Sequence, residues 1–109
     1  MEIDITGRHF QITGSLREYI HSKVSKLDKY SLKIESAHVV LWVEKFRHLA
    51  EITLRGKGLR LTAKEQEADM YAAFDRCLGV AQLQMGRQHD RVKDHKARRT
   101  KDLKSDKVR

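Results

Sequence analysis

Apolar and polar positions alternate at the start of the chain: within Glu2–Thr6, Ile3 and Ile5 share one side, the mark of a strand. The period then lengthens. Leu16, Ile20, Val24 and Leu27 recur every three or four residues, which stacks them along one side of a helix. Thr13 or Ser15 stands where an N-cap is needed, and Ser15 with Glu18 has capping-box spacing. Period two returns in three further segments. Ala37, Val39, Leu41 and Val43 share a face, with His38, Val40, Trp42 and Glu44 on the other. A third strand over about His48–Arg55 points Ala50, Ile52 and Leu54 inward, and Leu59, Leu61 and Ala63 continue the alternation beyond a tight Gly56-Lys57-Gly58 turn.

From about Ala68 the helical period takes over. Met70, Phe74, Cys77, Leu78, Ala81 and Met85 trace one stripe, weakly extended by Val92. A helix of roughly 28 residues measures about 42 Å, against about 25 Å for a strand of seven or eight residues, so it should outrun its sheet. The order β-α-β-β-β-α predicts a two-layer α+β domain with both helices on one face of a four-stranded mixed sheet. The first two strands should be parallel and the others antiparallel hairpins. Helical pattern fades near Ala97. The expected division is therefore a folded domain over 1–96 and a basic tail over 97–109.

Charge sharpens the picture. The chain carries a formal +8, and Gly86–Arg109 alone holds ten Lys and Arg against four Asp, or +6. A helix C-terminus favours two or three cations in its last turn, not ten over a long stretch. On a helical wheel Arg76, Arg87, Arg91 and Arg98 fall within about 60° of one another, away from the Met70/Phe74/Met85 face. Lys23 and Lys26 flank the first helix's apolar stripe beside Tyr19 and Tyr30. This is a surface suited to a polyanion, with arginine fitted to bidentate phosphate contacts.

Catalytic chemistry is poorly supported. There is no Gly-rich phosphate loop, and six histidines are scattered, with His89 and His95 six apart on diverging helix faces. The single cysteine, Cys77, lies on the apolar stripe, where a buried inert thiol is expected. Asp69 and Asp75 lie about 120° apart around the helix axis, and Asp69 suits a cap. We expect no enzyme, no cofactor, no metal site and no small-molecule substrate. The longest apolar run, Val39–Val43, is too short to span a bilayer. With no apolar leader and one cysteine, a reduced cytoplasm is the expected location. Trp42 falls opposite the Val39/Leu41 face, either packed on a neighbouring strand or offered to a partner.

Several stretches resemble the short ribosome hibernation promoting factors and the related ribosome-associated inhibitor. They are Ile5-Thr6-Gly7, Ile12-Thr13, Leu16-Arg17-Glu18, Lys26-Leu27 with Tyr30, Val39–Lys45 and, most specifically, DMYAAFD over Asp69–Asp75. The resemblance implies a domain shaped like a double-stranded-RNA-binding domain. It implies a partner in the small ribosomal subunit, within the whole ribosome, where such factors sit on decoding-region RNA and exclude mRNA and the A- and P-site tRNAs in stationary phase or stress. Lys23, Lys26, Arg87, Arg91 and Lys93 match the family's basic positions, and charge adds Arg76. Tyr71 and Asp75 match within DMYAAFD, where a supporting contact and local packing are both open readings. Val80 and Leu83 stand where related sequences often carry a base. Two alternatives differ in class: a generic double-stranded-RNA-binding module, and a protein-interaction domain using the open sheet face around Trp42.

Overall fold

The structure, a computed structural model, describes residues 1–29 and 33–97, with side chains for 1–28 and 33–87. Its elements run β1 (Glu2–Gly7), α1 (Gly14–Ser25), a short 3-10 turn (Lys26–Lys29), β2 (Ser36–Glu44), β3 (Arg47–Gly56), β4 (Leu59–Glu67) and α2 (Met70–Ala97). The sheet order is β1-β2-β3-β4. β1 pairs parallel with β2 in the register Ile5↔Val39, and the other two pairings are antiparallel hairpins. This is the two-layer arrangement that the sequence predicts.

Burial follows the alternation. Ile5, Val39, Leu41, Ala50, Ile52, Leu54, Leu61 and Ala63 meet Leu16, Ile20, Val24 and Leu27 from the α1 side and Phe74, Cys77, Ala81 and Met85 from α2 in one core. Two sequence expectations shift. Val43 is 39% exposed, because it lies near the end of β2, beyond the helix layer. Leu49, by parity an outward residue, is buried on the open sheet face, directly across from Trp42.

Local chemistry sets the helix starts. Thr13, not Ser15, is the N-cap of α1, its Oγ1 accepting from the Leu16 N–H at 3.2 Å. At α2, Asp69 Oδ1 accepts from the Ala72 N–H at 2.9 Å, the role the sequence suggested. A Cβ at Gly56 would collide with the Lys33 carbonyl, so only glycine lets the segment entering β2 cross the end of β3.

Both helices begin at the end of the sheet where β1 and β4 finish and run back along it. They are therefore parallel to each other, with both C-termini directed towards the other end. Tyr19 in α1 faces Tyr71 and Phe74 in α2, which fixes their relative level. Lys26 then stands near the level of Ala81, and α2 continues roughly 24 Å beyond it. Tyr30 and residues 98–109, most of the expected basic tail, lie outside the described residues.

Candidate nucleic-acid interface

The helix seam is built around Tyr19. Its hydroxyl donates to Asp75 Oδ1 at 2.7 Å, and its ring packs edge-on against Tyr71 at 5.1 Å and Phe74 at 6.0 Å. One turn along α1, the Lys23 ammonium stands 5.4 Å from the Tyr19 ring centroid, close enough for a cation–π contact. The hydrogen bond to Asp75 is the main cause that raises the Tyr19 phenol above its ordinary 10.0, with burial and the carboxylate charge adding to it. Lys23, Tyr71 and Asp75 are thus brought together on one flank, held by Tyr19, whose sequence position marks it only as a neighbour of Lys23. Lys26 follows at the end of α1, exposed, its backbone N–H bonded to the Lys23 and Val24 carbonyls.

Arg76 is placed elsewhere. Its Nε lies 2.9 Å from Glu65 Oε1 and a terminal nitrogen lies 2.7 Å from Glu67 Oε2, both carboxylates on β4. These bonds, that to Glu67 first, raise the guanidinium's already high pKa. Arg76 is about 100° around α2 from Asp75, so it turns to the outer edge of the sheet while Asp75 turns to α1. The shared edge of Arg76 with Lys23 and Lys26 that charge alone suggested does not form. The missed signal lies in parity: Glu65 and Glu67 continue the helix-facing positions Leu59, Leu61 and Ala63. Carboxylates carried into the helix layer need a cation to meet them.

Arg87 is exposed and, by helix geometry, within about 20° of the Arg76 direction. Between them Val80 is partly buried and Leu83 is 57% exposed, so the outer flank has an apolar interval. The backbone carries residues 91 and 93 on α2, but the side chains of Arg91 and Lys93 lie outside the described residues. The described basic positions Lys23, Lys26 and Arg87 all lie towards the end of the domain at which the helices finish.

Cys77 is fully buried, its thiol donates to the Ala63 carbonyl at 3.1 Å, and burial pushes it up to about 12. Among the described residues no His, Cys, Asp and Glu side chains gather as a metal site. No described helix is long and apolar enough to cross a membrane.

Similar proteins bear on this geometry. The chain is 38% identical over 95 residues to the ribosome hibernation promoting factor of Salmonella typhimurium, covering 87% of this chain and 100% of that protein. It is 37% identical over the same length to the factor of Escherichia coli K12, with the same coverage of each. Among solved structures, the N-terminal domain of Thermus thermophilus Protein Y superposes with a TM-score of 0.73 at 34% identity, covering 80% of this chain and 98% of that one. A ribosomal subunit interface protein from Coxiella burnetii shares the fold, with a TM-score of 0.71 at 21% identity over 80% of this chain and 96% of that one. Residues 3–93 match the family described as sigma 54 modulation protein / S30EA ribosomal protein, and this chain, with its paired basic helices on one mixed sheet, belongs to that family.

Proposed function

We propose that this protein is a ribosome hibernation factor that binds small-subunit ribosomal RNA in the decoding region and blocks mRNA and the A- and P-site tRNAs during stationary phase or stress. The observation that carries the reading is the match to ribosome hibernation promoting factors along their whole length. The geometry adds a means. Two parallel helices offer Lys23, Lys26 and Arg87 towards one end, and α2 carries Arg91 and Lys93 further out along its axis.

Cations on a rigid helical pair meet phosphates by position rather than by reading bases, which suits a fixed site in folded RNA. The Tyr19–Asp75 bond sets the level of one helix against the other, and Tyr71, 42% exposed, stands beside it as a supporting contact. Arg76 is neutralised by Glu65 and Glu67, so its part is to fasten α2 to β4 rather than to make a first phosphate contact.

The test is competition on purified small subunits. Bound tRNA and mRNA should exclude the protein, and the protein should exclude them. If about six phosphates are neutralised, log affinity should fall with log salt with a slope on the order of −4 to −5. Simultaneous binding of tRNA, mRNA and protein, or affinity indifferent to salt, would refute the reading.

A further inference from the structure

A second aromatic and cationic surface lies on the other face of the sheet, at the end where the helices begin. The β2–β3 hairpin turns at Lys45 and Phe46, closed by the Glu44↔Arg47 pair. Lys45 has φ 56°, a left-handed conformation that a lysine adopts at some cost, and the turn it makes holds Phe46 out at 92% exposure. A phenylalanine ring so fully in water stabilises nothing within the fold.

Behind the tip stands Trp42. The Arg8 guanidinium lies 4.3 Å from its ring centroid and the Lys64 ammonium 5.6 Å. Its Nε1 donates to Glu44 Oε2 at 3.1 Å, and Leu49 is buried opposite it. The Arg8 backbone N–H is tied to the Leu41 carbonyl at 2.8 Å, so this stack is anchored to the sheet. Arg8 and Lys64 lie over Trp42, and Lys45 and Arg47 flank Phe46 in the chain; the carboxylates here are Glu44, already bonded to Trp42, and Glu51.

We propose that this surface binds single-stranded RNA, with an unstacked base on Phe46 and flanking phosphates on Lys45, Arg47 and Arg8. Bases of single strands stack on aromatic rings and on guanidinium planes, and cations beside the ring follow the sugar-phosphate chain. The balance of four cations against two carboxylates favours a polyanion over a protein surface of mixed charge. The site is separate from the helix pair. It lies across the sheet and roughly 25 Å away, the length of β2, from the end where Lys23 and Lys26 gather.

Trp42 is the only tryptophan, so its fluorescence reports on this face alone. The experiment titrates the full chain, at physiological salt, with hexamers of uridylate and of adenylate. Binding should change the Trp42 emission, Phe46→Ala should weaken affinity at least about five-fold, and Phe46→Tyr should restore it. Phe46 being exposed, the alanine variant keeps its thermal midpoint, which separates lost binding from lost folding. Lys23→Gln with Lys26→Gln should leave the emission change intact, so failure of the helix reading and failure of this one are distinguishable. An unchanged affinity in Phe46→Ala, or no response of Trp42 to either hexamer, would overturn the proposal and leave the ring to a protein partner.

Discussion

Replacing Tyr19 by Phe removes one hydroxyl and leaves the ring against Tyr71 and Phe74. The bond lost is 2.7 Å long, from a phenol to the carboxylate of Asp75, and it joins the two helices across 56 residues of sequence. Hydrogen bonds to charged groups contribute about 1.5–3 kcal/mol; this one is open to water and belongs at or below the low end, about 1 kcal/mol. For a domain of this size that lowers the thermal midpoint by about 4–8 °C. Calorimetry on Tyr19→Phe, Asp75→Ala and the double variant should give a coupling of about 0.5–1 kcal/mol, since each residue's loss already removes the bond. A pH series adds a signed check. The folded state raises the phenol's pKa, so the bond's contribution is complete below pH 10.0, the ordinary value, and is lost as pH rises through the folded one. Tyr19→Phe should remove that part of the alkaline loss. A midpoint lowered by less than about 1 °C, or zero coupling, would show that ring packing alone joins the helices.

Two further outcomes test other parts of the structure. The Cys77 thiol is raised from 9.0 to about 12, so the folded state holds its proton and stability should fall between those values, by up to about 1.4 kcal/mol per pH unit; a thiol reagent at pH 8 should react only as the protein unfolds, and prompt reaction of the native chain would contradict its burial. Arg76→Gln should leave small-subunit affinity within about two-fold, whereas Lys23→Gln and Arg87→Gln should each weaken it and lower the salt slope by about one; an equal loss from Arg76→Gln in filter binding would place that guanidinium on the phosphates after all.

The sequence carried the architecture because burial here follows period. Ile5, Val39 and Ile52 alternate and Leu16, Ile20 and Val24 recur helically, so each element announced its inner side. Side-chain partnership was less legible. A wheel places Arg76 with Arg87, but it does not say which flank meets the neighbouring helix; that depends on where β4 and α1 lie, a fact of tertiary packing. The Tyr19–Asp75 bond joins residues far apart in sequence and has no local pattern. Parity puts Trp42 on the open face, yet its two cations come from the end of β1 and from β4, so only the strand register brings them to it. Phe46 gives no signal, because a lone apolar residue in a turn carries no periodicity at all.

The Arg76 pairing has one more consequence, for how copies of the chain treat one another. β4 is an outermost strand, so one row of its peptide groups has no neighbour within the sheet and is a template on which another chain's strand could grow. Its final residues carry Glu65 and Glu67, with the guanidinium that they hold standing partly in water beside them. An incoming strand would have to strip water from these charges before its first backbone hydrogen bond could form. With its open border guarded in this way, the chain disfavours edge-to-edge pairing between copies of itself.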